Sequence, residues 1–237
     1  MTGAQARRRA CPVCGGSART RLFRQQFAEV EAVTIVKGYD VVVCRDCGAG
    51  FADDIPDQAA FDRYYRNLSK YEYHQRDGAE SDHDRRRLAI IADIVAPFIP
   101  RADARILDVG CATGRLLALL RDKGFANVHG LDPSPSCATA AARLYGIPVQ
   151  TTTLSHLHES GETFDVVILV GVLEHINDLD TALREVYGVL SPEGIVYVEV
   201  PDALTFAEWP NAPYQDFSTE HINFFSPGSL GTLMRRQ

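Results

Sequence analysis

Four cysteines stand in two C-x-x-C-G pairs, Cys11 and Cys14 in "CPVCGG" and Cys44 and Cys47 in "CRDCGAGF". Each pair makes a tight knuckle whose glycine supplies a left-handed residue. Two knuckles offer four thiolates, the ligand set of tetrahedral zinc, and with every position taken by sulfur such a site is structural. A redox role fits less well, since neither pair precedes a helix in a βαβ context. A second set is acidic and glycine-rich. In "ILDVGCATG" Asp108 ends an apolar run two residues before Gly110, and Gly114 opens the following segment. Asp132 ends "VHGLD", 22 residues beyond Gly110. A third set is two Glu-His pairs, Glu174–His175 in "VLEHI" and Glu220–His221 in "EHINFFS". Histidine is the side chain best poised as a base near neutral pH.

The elements that must position these residues follow from the pattern around them. Apolar runs at "RILDV", "VHGLD", "FDVVILVGVL" and "GIVYVEVP" alternate with helical stretches at "RLLALLRDKG", "SPSCATAAARLYG" and "DLDTALREVYGVL". Ser134 is the expected N-cap of the second helix, with Pro135 in its first position. Strands alternating with helices of this length give a parallel sheet covered on both faces. Ligands of such sheets sit at the carboxyl ends of the strands, which places Asp108 and Asp132 there. The expected fold is therefore α/β and Rossmann-like, preceded by a small β zinc ribbon.

Within the ribbon, "AVTIVKGYDVVVC" reads as a hairpin with Gly38 in its turn. The chain is expected to become helical from about Gln58, with Tyr64, Tyr65, Tyr71 and Tyr73 as packing residues. Residues 74–83 read as a polar connection. A helix ending before Pro100 should bury Leu88, Ile91, Ile94 and Val95. The expected domains are a ribbon at 1–57, a helical linker at 58–100 and a ligand-binding domain at 101–237.

With 237 residues, 46% of them hydrophobic, the chain can bury a substantial core. The formal charge of −7 disfavours a surface built to hold nucleic acid. Residues 1–24 nevertheless carry Arg7, Arg8, Arg9, Arg19, Arg21 and Arg24 and no acid; a solvated ribbon surface is favoured over an RNA contact. No apolar run approaches the length of a membrane span and no secretory segment opens the chain, so a cytoplasmic location is expected. In that compartment six cysteines argue for metal or free thiols rather than disulfides.

The dinucleotide fingerprint G-x-G-x-x-G is absent from the first turn. Two acids, a glycine turn and no phosphate cradle describe a nucleoside with a positively charged tail. Here the chain resembles the class I S-adenosylmethionine-dependent methyltransferases, through "LDVGCATG", "GLDPS", "FDVVILVGVLEHI" and "VLSPEGIVYVEVP". The resemblance implies that Gly110, Cys111, Ala112 and Gly114 approach the methionine part, with Asp108 near its amino end. It also implies that Asp132 holds the ribose, and that Pro133, Leu154 and Val170 belong to the cofactor site. Thr153 stands where an acid often binds the adenine amino group. Ala112 replaces a frequent glycine, which is tolerable if the backbone stays at negative φ.

The cysteine knuckles together with "EHINFFS" resemble zinc-containing methyltransferases of sugars and nucleotide-linked sugars. In sugar C-methyltransferases a tyrosine lies three residues before the histidine, where this chain has Ser218. The resemblance implies methyl transfer to a small hydroxylated acceptor, with His221 as base and Glu220 and His175 beside it. Two plainer roles stand against this: His221 pinning the helix that starts at Ser226–Pro227, and His175 capping the helix after it. An RNA methyltransferase and a non-catalytic cofactor-binding scaffold are the alternative functions. The fold normally adds a helix and an antiparallel hairpin after its fifth strand. Their absence before Gln237 suggests a shortened form, or a sheet edge covered by an oligomeric partner.

Overall fold

In a computed structural model, which describes residues 8–28, 35–67, 80–208 and 212–236, the alternation from Arg105 onward becomes five parallel strands. These are β4 (Ile106–Val109), β5 (Val128–Asp132), β6 (Val149–Thr151), β7 (Phe164–Val170) and β8 (Leu190–Glu199), in the order β6-β5-β4-β7-β8. The central strand β4 is buried throughout, as a strand covered on both faces must be. Helices α2 (Asp82–Val95), α3 (Arg115–Asp122), α4 (Pro135–Tyr145) and α5 (Leu179–Gly188) alternate with or precede these strands. Ser134 caps α4, its Oγ accepting from Cys137 N at 3.4 Å, with Pro135 in the first turn as expected.

The α2 helix buries Ile91, Ala92 and Val95, while Ile94 is exposed. At 100° per residue Ile94 falls off the stripe through Leu88, Ile91 and Val95, and Ala92 takes its place on the buried side.

Four more strands form an antiparallel sheet in the order β1 (Arg19–Gln26), β2 (Gly38–Cys44), β3 (Gly50–Asp53) and β9 (Asn223–Phe224). The expected hairpin is corrected here. Gly38 does not make a turn but opens β2 opposite Gln26, and the partner strand is the arginine-rich "RTRLFRQQ". Its mostly exposed side chains gave no apolar alternation to read. Arg19 pairs with Asp53 at 2.8 Å, Arg21 with Asp40 at 3.2 Å and Arg24 with Asp54 at 2.9 Å. Charged side chains on an edge strand also discourage further pairing.

The described residues fall into two compact units, neither continuous in sequence. Met1–Tyr64, Gly171–Leu183 and Val200–Gln237 form one, and Tyr65–Val170 with Arg184–Glu199 the other. The first unit contains the antiparallel sheet, most of α1 (Gln58–Asn67) and α6 (Pro227–Arg235). Its core includes Tyr39, Phe51, Phe61, Ile222, Phe224 and Phe225, all buried. The second contains the parallel sheet. Tyr71, Tyr73, Arg7 and most of the expected polar connection lie outside the described residues.

Candidate functional site

The turn after β4 is built on left-handed backbone. Gly110 has φ 71° and Gly114 φ 76°. A Cβ at Gly114 would come within 3.3 Å of Ala141 and Ile147, so the residue is fixed by close packing as well as by its dihedral. Ala112 lies at φ 49°, so the condition under which alanine is easily tolerated there is not met. An L-residue held there is strained by roughly 1–2 kcal/mol. Its N–H donates to Asp132 Oδ2 at 2.9 Å, and Ser134 N–H donates to Asp132 Oδ1 at 2.9 Å. Asp132 thus ties the two βα turns together, and the Cys137 thiol also bonds its carboxylate. Burial pushes the Asp132 carboxyl up, and the two backbone N–H bonds work against that.

Asp108, at the carboxyl end of β4, is 3% exposed. Burial, and next the charge of Asp132, push its pKa up to about 8. Among the described residues no donor hydrogen-bonds to it. A buried carboxylate of this kind is stabilised by a cationic donor. Thr113 donates to Glu80, whose other oxygen accepts from Tyr145 Oη at 2.6 Å. Glu80 is itself buried and was missed in the sequence, because it sits in the polar stretch read as a connection. Cys111 and Leu154 are buried, Thr153 precedes the 3-10 turn that Leu154 opens, and Val170 ends β7. Pro133 follows Asp132 directly. All ten expected cofactor residues therefore lie in the unit of the parallel sheet.

The other unit holds both remaining sets. The cysteine knuckles have the same backbone: Gly15 N–H donates to Cys11 O at 2.8 Å, and Gly48 N–H to Cys44 O at 3.0 Å. Gly15 and Gly48 have φ 76° and 74°. Cys11 Sγ lies 3.6 Å from Cys47 Sγ, and Cys14 Sγ 3.5 Å from Cys44 Sγ. Sulfurs at about 2.3 Å from a tetrahedral cation would be about 3.8 Å apart. The four residues fit such an ion.

His175 and His221 meet edge to face with ring centroids 4.8 Å apart. His175 stands in the 3-10 turn Leu173–His175, and that turn is fastened to the segment carrying His221. Ile222 N–H donates to Glu174 O at 2.8 Å, and Asn223 Nδ2 donates to Leu173 O and Ile176 O at 2.7 Å each. Arg9 completes the network, donating to Ile222 O, Asn177 O and Asn223 Oδ1 at 3.1, 2.8 and 3.0 Å. Arg9 is thus buried and internally bonded rather than part of a solvated surface. Burial lowers its pKa to about 10.

Glu220 points its carboxylate at Tyr64, whose hydroxyl donates to Oε1 at 2.6 Å. His221 Nδ1 lies 3.1 Å from Asp216 O. Ser218 Oγ accepts the His221 N–H at 3.1 Å, so the serine that replaces a tyrosine shapes the loop that presents the histidine. The α6 helix is capped by Ser226 and Ser229, and α5 by Asp178 through Thr181 N. The two caps assigned to the histidines as their plainer roles are therefore made by other residues.

Residues 81–237 match the family described as "Methyltransferase domain". The chain is 35% identical over 104 residues to a "Ubiquinone biosynthesis O-methyltransferase" of Rhizobium etli (strain CIAT 652), covering 42% of each chain. It is 36% identical over 104 residues to the protein so described from Rhizobium rhizogenes (strain K84 / ATCC BAA-868), again 42% of each. The chain spans about two-fifths of the length of these curated relatives. Its fold is similar to that of the plantazolicin methyltransferase BamL, solved with SAH, at a TM-score of 0.54 and 15% identity, over 65% of this chain and 62% of that one. None of these three is described as acting on sugars, and the sugar expectation gains no support from them. Among the described residues no helix is long and apolar enough to cross a membrane.

Proposed function

We propose, since this chain belongs to the methyltransferase domain family, that it transfers a methyl group from S-adenosylmethionine to a hydroxyl of a small acceptor. The observation that carries the reading is Asp108, a buried carboxylate at the end of β4 with no donor among the described residues. An α-ammonium group is the donor it lacks. Gly110, Gly114 and the strained Ala112 keep the adjoining backbone low enough for the methionine part, with Cys111 in the same turn. Asp132 holds the ribose on the acceptor capacity left by its bonds to Ala112, Ser134 and Cys137, and Pro133, Thr153, Leu154 and Val170 enclose the base. The cofactor supplies a methyl group on a sulfonium centre, which a nucleophile attacks in line.

The acceptor proton falls to His221. Its Nδ1–H is held by Asp216 O, so in the neutral ring Nε2 carries the basic lone pair. Glu220 acts at one remove, holding Tyr64, and His175 fixes the neighbouring ring. The hydroxyl class is supported by the O-methyltransferase description of the Rhizobium relatives; phenols, sugars and nucleotide-linked sugars are the acceptors to compare. The four cysteines hold one structural Zn2+, supported by the sulfur separations of 3.5 and 3.6 Å.

Labelled methyl transfer onto phenols, sugars, nucleotide-linked sugars and RNA tests the reading. His221→Ala is expected to lower kcat by about 10²–10⁴-fold with the affinity for SAH unchanged. Full activity in that variant removes His221 as base, and transfer to RNA alone overturns the acceptor class.

A further inference from the structure

We propose that Glu174, His175 and His221 form a binding site for one divalent transition-metal cation, separate from the cysteine cluster. Each residue offers one ligand atom, and the three atoms lie within 4.8 Å of one another. Glu174 is 3% exposed, and its Oε1 lies 3.9 Å from His175 Nε2. The second observation is the orientation of the rings. His175 Nδ1 lies 3.1 Å from Glu220 O and His221 Nδ1 3.1 Å from Asp216 O. A carbonyl oxygen can only accept, so both protons sit on Nδ1 and both neutral rings carry their lone pair on Nε2. Fixing a ring through one N–H so that the other nitrogen can ligate is how proteins orient metal-binding histidines.

The donor set selects the ion. Two imidazoles and one carboxylate suit Mn2+, Fe2+, Co2+ or Zn2+, whereas Mg2+ and Ca2+ prefer oxygen alone. Donors at about 2.1 Å from a cation would stand about 3.0–3.4 Å apart, so on loading the 3.9 Å separation closes by less than about 1 Å and the widest one, within 4.8 Å, by less than about 2 Å. Three protein ligands leave positions open for water or for an acceptor oxygen. The site stands on this geometry alone; only its consequence for His221 rests on the methyl-transfer reading. A nitrogen that ligates a cation cannot also take a proton, so the loaded site would replace the base by a cation that acidifies the bound hydroxyl.

The test uses the full chain with zinc on its cysteines. Mn2+ is titrated and the free-ion electron paramagnetic resonance signal followed, because Mn2+ takes nitrogen and oxygen ligands in preference to thiolate. One equivalent should bind, at least about 10-fold more weakly in His221→Gln and Glu174→Gln that keep their zinc. Histidine-ring NMR of the unsubstituted protein gives the second measurement. The His175 and His221 signals should show the Nδ1–H tautomer and broaden with Mn2+ before those of His83 and His129. Unchanged binding in both variants, no binding up to about 1 mM Mn2+, or broadening confined to other histidines overturns the site.

Discussion

The four cysteines and the two histidines occupy the same compact unit but are brought together in opposite ways. Each cysteine pair is set by one short knuckle, closed by its own glycine and its own backbone bond, and that bond is repeated at Cys11 and Cys44. The histidines come from segments far apart in the chain; Asp216 O and Ser218 Oγ orient His221 locally, but no local bond brings the two rings together. Their alignment depends on Asn223 and Arg9, which bridge the turn at Leu173–His175 to the segment after His221. A site made of local turns tolerates changes elsewhere; one made by a bridging polar network fails with the network.

The largest effect that could break this contrast is loss of a cysteine. Cys44→Ser should remove the bound zinc, and with it about 10 kcal/mol or more of free energy tied to folding of that unit. Metal analysis and thermal unfolding measure it; a variant that keeps both zinc and melting temperature denies the metal a structural role. Next comes Asn223→Ala, which leaves Leu173 O, Ile176 O and the Arg9 guanidinium short of partners. It should cost about 2–4 kcal/mol in denaturant unfolding while zinc content stays at one. If zinc is lost as well, the two clusters are not independent and the contrast collapses.

Asp108 carries the comparison into the parallel-sheet unit. Its folded pKa of about 8 lies above the usual carboxylate value of about 3.9. Stability from this group is therefore complete below about pH 4 and is lost as pH rises through about 8. Without cofactor, Asp108→Asn should raise the melting temperature between about pH 6 and 9 while weakening SAH binding by about 10-fold or more. An unchanged SAH affinity would take Asp108 out of the cofactor site. The smallest effect is Ala112→Gly, which relieves the left-handed alanine and should stabilise the chain by about 1 kcal/mol. A destabilised variant would mean that the methyl group contributes packing that outweighs its strain.

Four strands of the parallel sheet were legible because their βα units announce themselves within about 30 residues, by an apolar run, an acid or glycine at its end and a capped helix; β6, only Val149–Thr151, carries no such run. Asp108, Gly110, Gly114 and Asp132 occupy the ends and turns where that pattern puts them. The partner of β2 was not legible, since "RTRLFRQQ" lacks the alternation that marks a strand with one face buried. Glu80 was hidden because its partners, Thr113 and Tyr145, are distant in the chain. The sign of φ at Ala112 was not legible, because alanine gives no hint of a left-handed residue, whereas the glycines on either side of it do.

By itself the sequence determined the knuckles, the glycine turn and the two strand-end acids, because short-range sterics and residue spacing suffice to set them. Only the tertiary structure decided that Asn223–Phe224 joins the edge of β3, that Arg9 is buried beneath that junction, and that His175 and His221 face each other. Those outcomes depend on polar partners that must be satisfied once buried, and sequence spacing carries no record of which distant groups will meet.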